Sequence, residues 1–522
     1  MARVLLVQPD IVTNPDEPKS QPLGLQFIAG QLEAKGIEVR IVHDSLDRII
    51  ETVRSFRPDH VGISSFTYAQ LAAEKIAREV RRVNPSITIT EGGWHVSGCA
   101  ASYSQGIETE TLGEILNPES PFDYIITGEA DLSFPEFVLR LASDTHRGIH
   151  GLGYFDTDRG IILNPHELVQ DLDSLAFPSW TGLNPDEYKE SRLDIHSQRG
   201  CRFACGFCVN PSVRKGKIRR MSPERVAEYI ASVKDKYRGF SMQDEDFLSD
   251  PKWVASVLEQ ITPLGLENVL FESGASLRDI EELRLANSLL LSQMHETGWG
   301  TFTAGVDSFV PETLRRYKKD MLMLGLLSHE QRERYDLGDK SVLFERHIQA
   351  TQNAATYALE NGIYLFASYI IGAPNETEAQ IREGFRKLSN IKDVFAICPY
   401  VFIPFPGIGL WGEVYDSGKL KRKDGRIDWK SFNKMDTTGS PLELDYDSKL
   451  LLGELEQEFY TSERYMRDFG RKINHLIKHE DIEGLAGFVG FLESHYEFLK
   501  DKYPNNSDIR KVHQAFTKFF TD

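Results

Sequence analysis

Three of the chain's five cysteines fall within eight residues, Cys201, Cys205 and Cys208, in the segment Gly200-Cys201-Arg202-Phe203-Ala204-Cys205-Gly206-Phe207-Cys208. Thiolates spaced C-x3-C-x2-C on one loop can converge on a single metal centre. Four would close a structural zinc site or saturate an iron–sulfur cluster. Three leave one cluster iron open, which is what chemistry needs if a small molecule is to coordinate there. A zinc ion with a remote fourth ligand such as His196 is the competing reading, and incidental packing of all three thiols is a further one. Cys99 and Cys398 stand alone and read as packing residues.

The cysteine loop directly follows a short β-type run, Leu193–Ser197. It opens a second alternation of strands and helices. Strand candidates are Leu193–Ser197, Gly239–Gln243, Val269–Glu272, Thr301–Gly305, Tyr364–Ile371 and Phe395–Phe402. Helical patterns lie at Pro223–Lys236, Pro251–Ile261, Leu289–Thr297 and Phe344–Asn361. About six βα units predict a partial or full barrel of the (β/α) type, whose site lies at the carboxyl ends of its strands. The cysteine loop occupies the first of those ends. Aromatic residues on the late strands (Tyr364, Phe366, Tyr369, Tyr400, Phe402) can line an apolar pocket or fill the barrel core.

An earlier alternation fills residues 1–145. Strands are expected at Val4–Val7, Val39–Val42, His60–Ser64, Ile87–Thr90 and Tyr124–Thr127. Helices are expected at Gly24–Lys35, Ile49–Phe56, Ala69–Val83 and Phe134–Ala142. This pattern predicts a doubly wound parallel sheet with a ligand at its strand ends. Those ends read Gln8-Pro9-Asp10, Ser64-Ser65-Phe66-Thr67, Gly92-Gly93-Trp94-His95 and Gly128-Glu129. Glycine permits close backbone approach and the hydroxyls supply hydrogen bonds. Residues 146–192 read as a linker, 193–410 as the barrel and 411–522 as a mainly helical, aromatic-rich domain.

Composition bounds the rest. Across 522 residues, 41% apolar and 26% charged is ordinary for a globular chain, and a net charge of −18 argues against a nucleic-acid binder. Five cysteines cannot make a secreted disulfide framework. Met1–Asp10 carries too short an apolar run for a secretory leader, and the apolar stretch Val394–Trp411 is broken by proline and glycine, so no membrane span and a cytoplasmic location are expected.

The cysteine motif, with an aromatic residue (Phe207) before its last Cys, resembles the signature of radical S-adenosylmethionine enzymes. That resemblance implies a 4Fe–4S cluster on Cys201, Cys205 and Cys208, with the methionine part of S-adenosylmethionine on the open iron. It extends along the barrel. Met242-Gln243-Asp244-Glu245-Asp246-Phe247 is similar to the acidic second-strand end that binds the methionine amine, implicating Asp244 and Glu245. Ser276-Leu277-Arg278 resembles the third-strand segment whose Arg reaches the carboxylate. Gly305-Val306-Asp307-Ser308 resembles the fourth-strand Gly-x-Glu-Ser, with Asp307 replacing Glu. Ile371-Gly372-Ala373-Pro374-Asn375-Glu376-Thr377 resembles the fifth-strand Gly-x-Pro-Gly-Glu-Thr, with Asn375 replacing Gly. Ile403-Pro404-Phe405-Pro406-Gly407 resembles the sixth-strand element. The resemblance thus assigns Phe207, Asp244, Glu245, Arg278, Asp307, Gly372 and Glu376 to adenosylmethionine.

The first domain resembles the cobalamin-binding domain that precedes the radical module in one large subfamily. The segments carrying it are Pro22-Leu23-Gly24-Leu25, Gly62-Ile63-Ser64-Ser65-Phe66-Thr67, Gly92-Gly93-Trp94-His95 and Gly128-Glu129-Ala130. They implicate Gly24, Ser64, Ser65, Phe66, Thr67, Tyr68, Gly92, Gly93, Trp94, His95, Gly128 and Glu129 in holding cobalamin. The Asp-x-His-x-x-Gly motif that supplies a lower cobalt ligand elsewhere is absent; Asp59-His60-Val61-Gly62 has the wrong spacing, and His60 reads as a buried strand residue. Phe66 or Tyr68 is expected to cover the lower face.

Both resemblances together cover about residues 3–410. They imply a methyltransferase acting on an unactivated carbon: a 5′-deoxyadenosyl radical abstracts hydrogen, and methyl arrives by way of methylcobalamin. A cyclase, ring contraction or oxidative rearrangement with the same cofactors is the alternative, and a non-catalytic cobalamin sensor is a third reading. The expected partners are a small-molecule or peptide substrate and an electron donor such as flavodoxin or ferredoxin.

Overall fold

A computed structural model describes residues 2–10, 19–188, 192–237, 239–266, 270–432, 439–460, 462, 464–465 and 467. The chain forms two compact units. One comprises residues 1–275, 316–318 and 402–443; the other comprises 276–315, 319–401 and 444–522. These units cut the chain differently from the expected boundaries at 145, 192 and 410.

The first unit opens with β1 (Arg3–Pro9), α1 (Leu23–Ala34), β2 (Glu38–Asp44), α2 (Leu46–Phe56), β3 (His60–Ser64), α3 (Gln70–Val83), β4 (Thr88–Gly92), α4 (Trp94–Ser104), α5 (Glu110–Ile115), β5 (Tyr124–Ile126) and α6 (Ser133–Leu141). The strand order is β2-β1-β3-β4-β5, all parallel, so the expected doubly wound sheet is present. The helices follow from apolar residues at helical spacing: α2 buries Ile49, Val53 and Phe56 while its other face is charged. One face of the sheet buries Leu5, Val61, Ile63 and Ile89 under α2–α5; the other buries Val4, Leu6 and Ile126 under α1 and α6. His60 lies in this second layer, edge-on to Phe134 and Phe137 at 5.2 and 5.4 Å, and burial pushes its imidazole down to about 3. It is a core residue.

The stretch expected to be a linker instead carries β6 (Leu152–Asp156) and β7 (Gly160–Leu163), which add antiparallel to β5 and make the sheet seven-stranded. Short strands set among turn residues escape a search for periodicity. The same unit continues with β8 (Arg192–Ile195), the two-residue pair β9 (Gln198–Arg199) and β10 (Arg219–Arg220), then β11 (Gly239–Met242) and β12 (Leu270–Ala275). β11 lies parallel between β8 and β12. Its helices are α7 (Asn210–Arg214), which no sequence pattern marked, and α8 (Pro223–Val233) and α9 (Pro251–Ile261), which start where expected: Ser222 and Asp250 cap α8 and α9, each followed by proline at the first helical position.

The second unit holds three more parallel strands, β13 (Trp299–Asp307), β14 (Tyr364–Ile371) and β15 (Ala396–Val401), with β14 central. Six parallel strands thus match the six expected, three in each unit. Tyr364 and Tyr369 are buried core residues, and the Tyr369 hydroxyl accepts from Phe309 N at 3.0 Å. Helix Ser448–Tyr460 docks on β15, where the Tyr460 hydroxyl meets both backbone groups of Ile397 at 3.1 and 3.3 Å. The remainder of the expected C-terminal helical domain, residues 468–522, lies outside the described residues.

Candidate active site

The cysteine loop is gripped by backbone on two sides. Gly206 N donates to Tyr317 O at 2.9 Å, and Leu410 N donates to Gly206 O at 2.9 Å. A Cβ on Gly206 would stand 2.7 Å from Arg316 O, so only glycine permits this approach. Phe207 packs edge-on to Tyr317 at 4.9 Å, and Cys208 N donates to Cys205 O at 3.1 Å. All three cysteines are reduced and half-buried. The Cys201 thiol is pushed up to about 12 by burial and by the charges of Asp246, Cys205 and Cys208. Among the described residues no three His, Cys, Asp or Glu side chains close on a single ion. His196, the alternative fourth ligand, has Nε2 3.4 Å from an Arg214 nitrogen and 3.6 Å from Glu245. Three sulfurs without a nitrogen donor fit a cluster with one open iron better than a zinc ion.

The acidic turn after β11 divides its work. Asp244 accepts from Ser197 N at 2.8 Å, Ser197 Oγ at 2.5 Å and Gln198 N at 2.7 Å, and burial lifts its carboxyl to about 7. Glu245 accepts from Gly200 N at 2.9 Å and pairs with Arg214. Burial would raise its carboxyl, but His196 and Arg214 outweigh burial and hold it at about 2. Both residues expected to hold adenosylmethionine therefore brace the segment leading into Cys201. Asp246, one residue on, is the carboxylate whose charge reaches the Cys201 thiol.

In the second unit, Ser276 caps helix α10 (Leu277–Leu285) and places Arg278 in its first turn, not in a strand; Arg278 Nε donates to Glu282 at 2.7 Å. Asp307 closes β13 at φ +64° and pairs with buried Lys319 at 2.7 Å. Glu376 accepts from Gly372 N at 2.9 Å, Ala373 N at 3.2 Å and Thr313 Oγ1 at 2.7 Å, stapling its own loop. Gly372 offers a positive-φ backbone there.

The cobalamin candidates at the ends of β3 and β4 interlock. Ser65 N donates to Gly92 O at 2.9 Å, and His95 N donates to Ser65 O at 3.3 Å. Gly93 has φ +106°, and a Cβ there would lie 2.5 Å from Ser65 O. Ser65 Oγ donates to Glu91 at 2.6 Å; buried Glu91, unmarked by the sequence reading, is raised to about 8 by desolvation. A carboxylate closing an apolar strand was its one visible signal. His95 is buried against Thr67 (3.1 Å), Cys99 and the Trp429 ring (4.9 Å). Phe66 and Tyr68 stack face to face at 5.4 Å, with Phe66 exposed. Ser97 Oγ ties Gly93 O to Gly128 N at 2.8 and 2.9 Å. Ser64 ends β3 half-buried, and Gly24 is exposed in the first turn of α1. Glu129 is held by Arg219 through two bonds of 2.6 and 2.8 Å, so its oxygens serve the protein's own packing. Close glycine turns beside a stacked Phe66–Tyr68 pair with Phe66 exposed fit a large, flat cofactor.

Residues 10–138 match the family model described as B12 binding domain, and residues 195–388 match the Radical SAM superfamily. An uncharacterized methyltransferase of Pyrococcus horikoshii is 25% identical over 428 residues, covering 80% of this chain and 82% of that protein. The anaerobic magnesium-protoporphyrin IX monomethyl ester cyclase of Rubrivivax gelatinosus is 25% identical over 439 residues, covering 79% and 70%. The structure of the radical S-adenosylmethionine methyltransferase TsrM from Kitasatospora setae, with cobalamin and a [4Fe-4S] cluster bound, superposes with a TM-score of 0.60 at 17% identity, covering 89% of this chain and 86% of that one. With its thiol triad, interlocked glycine loops and both family modules in one chain, this protein belongs to the radical S-adenosylmethionine enzymes that carry a cobalamin-binding domain.

Proposed function

We propose that the protein transfers a methyl group from S-adenosylmethionine to an unactivated carbon of a small-molecule or peptide substrate. The observation that carries this reading is the thiol triad on a loop clamped by Tyr317 and Leu410, in the same compact unit as the Gly92–His95 turn. When bound, the cluster, adenosylmethionine and cobalamin supply the electron, the hydrogen-abstracting radical and the methyl carrier that no side chain can provide. The chain's part is placement. Cys201, Cys205 and Cys208 hold the cluster, with Gly206 seating the loop. Phe207 serves adenosylmethionine in the first unit, with Asp244 and Glu245 bracing the loop beneath it; Arg278, Asp307, Gly372 and Glu376 shape its binding loops in the second. Ser64–Tyr68, Gly92–His95 and Gly128 hold cobalamin, with the Phe66–Tyr68 stack against its lower face. A cobalt(II) EPR spectrum free of protein imidazole hyperfine is expected; its presence would overturn the lower-face assignment.

No helix among the described residues is long and apolar enough to cross a membrane. The proposed chemistry needs a one-electron donor, such as a flavodoxin or ferredoxin in the cytoplasm. The cyclase relative, as similar over nearly as much of the chain, supports a second reading: the same cofactors used for cyclisation without methyl transfer. Incubation of the reconstituted protein with methyl-labelled adenosylmethionine and a metabolite pool separates them. Label in a product one methylene heavier supports transfer. Substrate-dependent 5′-deoxyadenosine with unlabelled product supports cyclisation.

A further inference from the structure

Between the Gly92–His95 turn and the cysteine loop lies a buried charge network that neither cofactor site requires for its own contacts. Arg199, one residue before Gly200, makes a forked pair with Asp131 at 2.7 and 2.9 Å. Arg219 makes a second fork with Glu129, the neighbour of Gly128. Arg214 stands at the centre. Its guanidinium lies 5.4 Å over the Trp94 ring, 3.7 Å from Glu129, and pairs with Glu245, which in turn accepts from Gly200 N. Three guanidinium groups thus face three carboxylates, and all six side chains are less than one fifth exposed. Leaving any one of them unpaired is expensive, so the network moves as a set.

Building on the assignment of Gly93, Trp94 and Gly128 to cobalamin, we propose that Arg214 is a positioning residue that couples the two cofactor loops. Seating a corrin against Trp94 fixes the plane of the Arg214 guanidinium. That plane fixes Glu245, and Glu245 sets the backbone of Gly200 immediately before Cys201. The same chain runs backward: ordering the cysteine loop around a cluster presets Trp94. By linkage, each cofactor then favours the other by the same factor. Arginine suits this place because its planar fork can stack on a ring and hydrogen-bond a carboxylate at once, which an ammonium cannot do.

The test measures hydroxocobalamin affinity of the full chain, by the change in its visible absorbance, with and without the reconstituted cluster. Cluster assembly should tighten cobalamin binding by about five- to tenfold. Conversely, saturating hydroxocobalamin should tighten cluster binding, read by equilibrium competition with an iron chelator, by the same factor. Arg214→Gln should bring both factors to within about twofold of one while the cluster still assembles. Arg214→Lys, which keeps the charge and protects folding, should lose them too; wild-type coupling in that variant would overturn the proposal. Cobalamin binding of wild type that ignores the cluster would overturn the coupling alone. Binding that survives Gly93→Val unchanged would overturn the cobalamin assignment beneath it.

Discussion

In the proposed function the cysteine loop and the Gly92–His95 turn would serve one cofactor each, by opposite means. The first presents three reactive side chains and needs the backbone only to aim them. The second presents chiefly backbone, and its side chains face inward: Ser65 to Glu91, His95 to Thr67 and Trp429, Ser97 to Gly128. A cluster is held by covalent bonds to sulfur, so its site is a list of atoms. A large cofactor held by shape and hydrogen bonds needs a cradle, and a cradle is a property of how loops stack. Single losses should therefore be absolute in the first region and graded in the second.

The largest expected effect is Cys205→Ala, which should abolish cluster absorbance and reductive cleavage of adenosylmethionine while cobalamin binding persists, weakened by no more than the coupling factor. Persistence of cleavage would refute the radical assignment. Next comes Asp131→Asn, which leaves buried Arg199 without its partner between the two regions. Breaking such a pair costs about 3–5 kcal/mol, seen as a lowered denaturant midpoint; an unchanged midpoint would show that the network is not structural. A pair of glycine substitutions follows. Gly206→Ala and Gly93→Ala each force a Cβ to within 2.7 or 2.5 Å of a carbonyl oxygen, at about 1–3 kcal/mol each. The first should impair cluster loading and the second cobalamin affinity, and crossed effects larger than the direct ones would break the comparison. The smallest is Glu91→Gln. The carboxyl is raised in the fold from the ordinary range to about 8, so the folded chain holds a proton that the unfolded chain releases. Stability should therefore fall as pH rises from about 4.5 to about 8 and level off above it. The Gln variant should lose that slope in thermal melts across the range while retaining the Ser65 contact.

The thiol triad was legible because spacing survives in one dimension: Cys201, Cys205 and Cys208 need no long-range partner to stand out. Strand and helix positions were legible for a related reason, since burial on one face imposes a period. The roles of the acidic residues were not. Asp244, Glu245, Glu376 and Glu129 all sit at strand ends where a ligand contact was expected, yet each accepts hydrogen bonds from its own chain. A carboxylate at a strand end must find donors, and whether these belong to a ligand, to a backbone amide 45 residues away or to a guanidinium 90 residues away depends on packing. The strands at Leu152–Asp156 and Gly160–Leu163 were missed because the edge of a sheet tolerates glycine and turn residues that blur alternation.

By itself, then, the amino-acid sequence determined the chemistry: three thiols at cluster spacing, two α/β alternations, and glycine-marked loops after their strands. Only the tertiary structure decided which charges meet. Arg199, Arg214 and Arg219 lie between 68 and 120 positions from some of the groups they neutralise or cover, although Arg214 finds Glu245 only 31 positions on. No local pattern encodes those pairings, because burial in a low-dielectric interior, not sequence proximity, is what compels one charge to find another.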